Sequence, residues 1–384
     1  MRKKIMVAIL TAGAFISYNV GAGFASGNEL LQVFGLWDAK GIVQGLASGF
    51  ITLMFACASL FTLGYLSPVK AATENYLWVG GPVAGRFFRL VTDICVLGNL
   101  MLMYSGAGNL LYQQFGLPKI VGSVLLGGAT LLVMLGRMKK IQDILGCIGV
   151  IILCYMAVFL LVTLFGGHSS SENISLIPAA VEQGKALRIN LFAHFPFTLN
   201  PELAAKNHPV INGMIYSSQV IIAGFPFFTS LGKRAASRKE SFGFGMLAGV
   251  AYYACVSFMV IILTFNFDAI IDSVTGEMYA FPALAVVHKL WKAGSWTYSL
   301  LIFLGIFSAT TGYLWVLSDR IFTNRQTSSA KKRFIVIMTV AGILIGNKIP
   351  FSALINIMFP LTGSLGFLLI VVSVVRLARI RLKD

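Results

Sequence analysis

From Ser17 to Glu29 the chain sets small and polar residues, Ser17, Tyr18, Asn19, Val20, Gly21, Ala22, Gly23, Phe24, Ala25, Ser26, Gly27, Asn28 and Glu29, into a long apolar stretch. Three glycines in seven positions do not hold a stable helix at bilayer depth, so backbone N–H and C=O groups come free there. In hydrocarbon such groups are tolerated only where they line a cavity or meet a ligand. The order Ser26-Gly27-Asn28-Glu29 fits a capping box, with Ser26 as N-cap and Glu29 at the third helical position. It would open an outer half-helix from Asn28 to Trp37 whose first N–H groups point toward mid-membrane and attract an anion, typically a substrate carboxylate. Glu29 has a second reading, as a gating or proton-carrying acid.

A second constellation lies at Ser308-Ala309-Thr310-Thr311-Gly312, three hydroxyls within little more than one turn. Opposite unwound carbonyls they would form a cage of hard oxygens suited to Na⁺, whereas alone such hydroxyls often just bond the carbonyl one turn back. Intramembrane acids are few. Asp93 has Arg89 one turn before it, which fits a local ion pair or, alternatively, a proton relay. Asp143 follows Lys139 and Lys140 and reads as structural, and Asp319-Arg320 closes its span at a membrane face. Ser17, Tyr18, Asn19, Tyr104 and Gln219 have the best polar claims on a cavity, with Phe225, Phe227 and Phe228 as an apolar wall. The five cysteines and four histidines show no metal-ligand spacing.

The elements that must position these groups are membrane spans. Of 384 residues, 57% are hydrophobic and 11% charged, and mean hydropathy is +0.82, which excludes a soluble domain. Apolar runs near the ~20 residues that cross a bilayer fall at 5–37, 41–66, 90–114, 118–136, 141–166, 210–230, 242–264, 295–318, 333–346 and 351–375. The fold class is therefore an all-α integral membrane protein of ten transmembrane helices. The sixth run breaks at Ala223-Gly224-Phe225-Pro226, repeating Ala22-Gly23-Phe24 at an offset of 201 positions. Matched interrupted helices in two halves point to a transporter binding site. A small-residue stripe, Gly41, Gly45 and Gly49, recurs as Ser241, Gly245 and Gly249, as expected of close helix packing in lipid. Two halves of five spans each must be mutually inverted, which gives a 5+5 inverted repeat.

The expected organisation is a first repeat over 1–166, an extracytoplasmic loop with an interfacial helix over 167–209, a second repeat over 210–376 and a cytoplasmic tail over 377–384. Amphipathic material runs from Leu187 to Leu199, and the stretch 265–293, rich in Asp268, Asp272 and Glu277, is expected to fold as a short helical cap over the outer mouth. With the N-terminus inside, 22 of the 30 lysines and arginines fall on inner segments, so both termini are expected in the cytoplasm. The net charge of +16 then reflects topology and lipid contact rather than nucleic acid. Arg2-Lys3-Lys4 before an apolar run imitates a signal peptide, but the apolar run continues through Trp37, and no cleavage is expected.

With these residues in view, the chain resembles the LeuT-fold secondary transporters of the amino acid–polyamine–organocation superfamily. The run from Val20 to Glu29 more narrowly resembles that of the bacterial YkvI-like membrane proteins. The resemblance covers all ten spans. It implies broken spans 1 and 6 holding the solute, with spans 3 and 8 completing the pocket: Ser17, Tyr18, Asn19, Gly21, Ala22, Gly23, Phe24, Ala25, Ser26, Tyr104, Gln219, Ala223, Gly224, Phe225 and Ser308. It also implies a Na⁺ position at Ser17, Val20, Phe307, Thr310 and Thr311, with Ser17 and Val20 offering carbonyls and the two threonines hydroxyls. A cytoplasmic gate is implied near Asp319 with Arg2, Lys3 or Lys4. Glu29 stands where an outer arginine gate is looked for. The resulting expectation is a multi-pass bacterial inner-membrane carrier, a Na⁺ symporter of a small amino-acid-like or carboxylate solute, with H⁺ coupling through Glu29 or Asp93 as the alternative. No cofactor beyond Na⁺ is implied, and the partners are solute and lipid, as monomer or homodimer. An enzyme would need a catalytic constellation that the sequence lacks, and a channel would need a continuous pore.

Overall fold

A computed structural model describes residues 2–134, 138–167, 169–191, 207–272, 276–279, 281, 282–292, 294–322, 329–349 and 351–381. Regular structure among them is helical, apart from one isolated antiparallel bridge between Ile271 and Met278. The chain runs through α1 (Arg2–Asn19), α2 (Ala22–Ser26), α3 (Asn28–Leu30) with a π-turn at Leu31–Gly35, α4 (Ala39–Leu66), α5 (Asn75–Phe115), α6 (Lys119–Met134) and α7 (Met138–Phe165). After α8 (Leu176–Glu182) it continues through α9 (Pro209–Ile222), α10 (Phe225–Gly232), α11 (Arg238–Phe265), α12 (Pro282–Leu290), α13 (Gly294–Ile321), α14 (Ser329–Gly346) and α15 (Phe351–Arg381). Six of these are long and apolar enough to cross a membrane. The pair α9 and α10, bent by 74° at the second break, passes the same test taken together, which makes up to seven against the ten expected, and Lys4–Asn19 and Lys119–Met134 are shorter apolar helices.

Local chemistry sets the ends. Asp38 caps α4 by accepting from the Gly41 N–H (3.0 Å), and Ser237 caps α11 by accepting from the Glu240 N–H (3.1 Å). Pro209 starts α9 where its missing N–H costs nothing. Helix α5 begins well before the apolar run at 90 because Asn75–Gly80 joins it through a kink at Gly81 (φ 72°), followed by Pro82.

The two halves pack through the same device. Helix α1 lies so close to α7 that a Cβ on Gly13 or Gly149 would strike the other helix's backbone. In the second half, a Cβ on Gly366 would strike the Ser218 carbonyl of α9, as one on Gly363 would strike Ile215. Gly146/Gly149 and Gly363/Gly366 are thus equivalent i, i+3 pairs on α7 and α15, where only glycine lets the backbones touch. The small-residue stripes do similar work around α4. Gly213 of α9 sits on the Gly45 carbonyl, a Cβ on Gly245 of α11 would lie 2.5 Å from the Cys57 carbonyl, and Ser241 donates to the Phe61 carbonyl at 2.7 Å.

Two intramembrane acids pair over long range. Asp93 pairs with Arg320 of α13 rather than with Arg89, and Asp143 pairs with Arg234 (2.6 Å) across the bundle. In each case the helix register aims the acid at a neighbouring element, which sequence proximity does not reveal. The stretch 265–293 holds a 3₁₀ turn at Phe267–Ala269, the bridge and a short helix at Pro282–Leu290, in keeping with the short helical element expected there. The amphipathic segment expected over Leu187–Leu199 lies, from residue 192 on, outside the described residues.

Candidate functional site at the crossing of the two breaks

Helix α1 keeps its hydrogen bonding to the Val20 N–H, which donates to the Ile16 carbonyl at 2.9 Å. Gly21 then turns away, its N–H reaching the Asn19 carbonyl (3.0 Å), and α2 begins at Ala22. It lasts five residues before Gly27 adopts a left-handed conformation (φ 79°) open to glycine at little cost. That residue displaces the expected capping box. Gly27 and not Ser26 precedes the next helical turn. The Ser26 hydroxyl donates back to the Gly23 carbonyl (2.8 Å) and accepts from the Asn28 N–H (3.2 Å). The outer segment is helical from Asn28 to Gly35, its last five residues in π geometry, so the half-helix expected to reach Trp37 ends two residues earlier.

Freed from capping, Glu29 folds inward. It is 5% exposed. Its Oε1 accepts from the Tyr216 hydroxyl of α9 at 2.9 Å, and Tyr216 stands 3.1 Å from the Tyr252 hydroxyl of α11. Its Oε2 lies over Gly23, where a Cβ would collide with it.

At the second break, α9 ends at Ile222 and α10 restarts at Phe225, with Pro226 in its first turn. The Ala223 carbonyl accepts from the Tyr18 hydroxyl (2.8 Å), so one bond ties the first interrupted span to the second. The Ile222 carbonyl accepts from Tyr76 (3.2 Å) and Thr92 (3.4 Å). Asn75 and Gln142 fix α10 from the sides, donating to the hydroxyls of Thr229 and Ser230 at 2.9 Å each. Tyr18 stacks on Phe227 at 4.9 Å between centroids and meets Phe228 and Tyr313 edge-on. Phe225 stacks on Tyr76 at 4.5 Å. The rings fill the space below the break.

Between the breaks lies a cavity of about 40 Å³. Of the residues expected from sequence, Asn19, Gly21, Gly23, Gln219 and Ala223 line it, together with Glu29. Ser17, Tyr18, Ala22, Phe24, Ala25, Ser26, Gly224, Phe225 and Ser308 are not among its lining residues. The Ala22 N–H points at the Met103 sulfur (3.4 Å), Phe24 packs on Tyr252, and the Ala25 carbonyl accepts from Tyr298 (2.8 Å). Tyr104 is elsewhere. One residue along α5 from the lining Met103, it is turned by about 100° and packs over Gly342 of α14. The remaining lining comes from Asn99, Leu102, Met103, Val220, Tyr252, Tyr313 and Phe359, which the sequence reading missed. Asn99 was detectable as an amide within an apolar run. The tyrosines required knowledge of helix rotation.

Where span 1 meets α13, a Cβ on Gly305 would lie 2.7 Å from the Val20 carbonyl, and the Ser308 hydroxyl donates to the Ser17 carbonyl at 2.6 Å. Thr310 and Thr311 donate to the Ile306 and Phe307 carbonyls of their own helix, at 2.7 and 2.8 Å. A hydroxyl that donates backward keeps lone pairs to offer. The contact between span 1 and α13 runs through Gly305 and Ser308, while the Thr310 and Thr311 hydroxyls are bonded within their own helix. Asp319, the expected cytoplasmic gate residue, interacts with Lys331, Lys233 and the backbone amides of Ala72 and Thr73, and the side chains of Arg2 and Lys3 lie outside the described residues. Lys4 is exposed.

No family model matches the chain. It is 23% identical over 359 residues, 93% of each chain, to the uncharacterized membrane protein YkvI of Bacillus subtilis (strain 168). Among solved structures it is similar to MhsT in complex with L-phenylalanine, with TM-score 0.63 and 15% identity over 94% of this chain and 87% of that one. It is also similar to the Eremococcus coleocola manganese transporter bound to an aromatic bis-isothiourea compound, with TM-score 0.53 and 14% identity over 90% of this chain and 71% of that one. The chain has the LeuT-like fold.

Proposed function

We propose that this protein is a secondary transporter that carries a small solute by alternating access through the cavity at the crossing of its two interrupted spans. One observation carries this reading. The Tyr18–Ala223 bond joins the first break to the second beside a polar mid-molecule cavity, in the place where inverted-repeat carriers bind cargo. The solved neighbours agree in kind, since one was captured with L-phenylalanine and the other is a manganese transporter. The proposed setting is the bacterial inner membrane with both termini cytoplasmic, which rests on the distribution of basic residues.

Sodium as the coupling ion is supported by the oxygens of Ser17, Val20, Phe307, Ser308, Thr310 and Thr311 where span 1 meets α13. Proton coupling is the second reading, favoured by the inward-turned Glu29. A thermal-shift screen of small solutes, with and without Na⁺, followed by counterflow in proteoliposomes, tests the proposal. A carrier exchanges labelled solute against a trans pool. Flux without exchange, or no stabilising solute among amino acids and related small molecules, would sink it.

A further inference from the structure

Glu29 places a carboxylate in a site that contains no cation to balance it. The titratable groups facing it are tyrosines from three packed elements: Tyr216 of α9, Tyr252 of α11 and Tyr313 of α13. Helix α5 contributes Asn99 and Met103, and α15 contributes Phe359. No lysine, arginine or histidine is among the cavity's lining residues. An isolated ionised carboxylate in such surroundings is too costly to persist. The counter-charge therefore has to come from solution, as a proton, as a coupling cation or as a cationic group of the cargo.

The remaining lining selects between kinds of cation. A cluster of three or more His, Cys, Asp or Glu side chains able to hold a metal ion is absent among the described residues. Three amides, Asn19, Asn99 and Gln219, supply carbonyl acceptors around the acid, and the rings of Tyr252 and Tyr313 supply π faces. An N–H donor with a full positive charge satisfies carboxylate, amide oxygen and ring face together. The volume of about 40 Å³ matches a head group of a few water-sized units. The flexible Met103, which lies against Gly21, could yield to a larger body.

On the reading of this cavity as the solute site, we propose that Glu29 holds a proton in the closed, empty carrier and exchanges it for the ammonium group of the solute, so that the cargo is a small cationic amine. The exchange balances: as R–NH₃⁺ seats against Glu29, the carboxylic acid O–H breaks and its proton leaves to water on the side to which the site is open. The sequence-based preference for a carboxylate solute is then reversed, because the protein's own acid occupies that position.

Ethylammonium, glycine and acetate are probes of similar size carrying net charges of plus one, zero and minus one. The full-length protein in nanodiscs at neutral pH should show an infrared carboxylic-acid C=O band that Glu29→Gln removes and Tyr216→Phe shifts. Saturating ethylammonium should bleach the band and release about one proton per site in an unbuffered titration, and acetate should do neither. Glu29→Gln should weaken ethylammonium binding by roughly ten- to a hundredfold, the scale of a lost charge-assisted hydrogen bond, while Glu29→Asp retains proton release. No Glu29-dependent acid band, no proton release with ethylammonium, or equal release with Na⁺ or acetate would overturn the proposal. If counterflow of another solute persists in that case, the carrier reading survives and only this inference fails.

Discussion

The first break leaves an acid and an amide facing a cavity, while the second gives its freed carbonyls to the hydroxyls of Tyr18, Tyr76 and Thr92 and packs rings beneath them. Both interruptions use an alanine, a glycine and a phenylalanine in the same order, Ala22-Gly23-Phe24 and Ala223-Gly224-Phe225. Both halves also press one glycine pair into a backbone, at Gly146/Gly149 and Gly363/Gly366. The repeat therefore fixes where the chain bends and how closely its helices approach. Side chains that are not repeated set the two bends apart: Glu29 turns into the cavity at the first, and Pro226 opens the packed helix at the second. Symmetry supplies the frame, and asymmetric substitution supplies the chemistry.

The largest expected effect is at the open break. Gly23→Val places its side chain on the Glu29 carboxylate and near Phe359. Solute binding should be abolished, with overpacking costing only about 1–3 kcal/mol of stability. Retained transport would mean that the first break is merely a kink. Next comes the shared frame. Gly149→Ala and Gly366→Ala each drive a Cβ into a backbone carbonyl, so both should lower the melting temperature comparably. Gly128→Ala, with nothing near its Cβ, should be neutral or raise stability by up to about 1 kcal/mol through helix propensity. Unequal losses at the paired positions would break the equivalence of the halves.

The support function of the second break is sharpened by two tyrosines. Tyr18→Phe leaves the Ala223 carbonyl without its donor and should cost about 1–3 kcal/mol. Tyr76→Phe should cost less, because Thr92 also reaches the Ile222 carbonyl. Urea or thermal unfolding of the two variants side by side measures the difference. Smallest for stability is the pair Thr310→Ala with Thr311→Ala, whose hydroxyls bond within their own helix. Folding should barely change while Na⁺ dependence of uptake weakens. Uptake indifferent to Na⁺ in the wild type would remove the sodium reading.

Much of the frame was legible in the sequence. Hydropathy located the six long apolar helices and the bent pair, short of the ten spans expected, and the matched Ala-Gly-Phe triplets located the bends. The small-residue stripes at Gly45 and Gly245 were read as packing surfaces and sit against neighbouring backbones. The glycine pairs on α7 and α15 carried the same information and went unread. The site was less legible for a geometric reason. Near Gly27, a single left-handed residue decided whether Glu29 capped a helix or entered the cavity. On α5 a one-residue step separated Met103, which lines the cavity, from Tyr104, which does not. Asp93 found Arg320 more than two hundred positions away rather than Arg89 on the adjacent turn, a choice made by tertiary packing.

Transport by alternating access requires the cavity between the breaks to open in turn to the two sides of the membrane. Gln219 lines it from the second interrupted span, and a Gln219→Cys variant in a background lacking the five native cysteines reports its exposure. In right-side-out and inside-out vesicles, a small impermeant thiol reagent should label the residue from either side, with solute and ion gradients that raise labelling from one side lowering it from the other. Labelling from both sides at once, rising and falling together, would describe a pore, and no labelling from either side under any gradient would describe a packed core; either result contradicts the carrier.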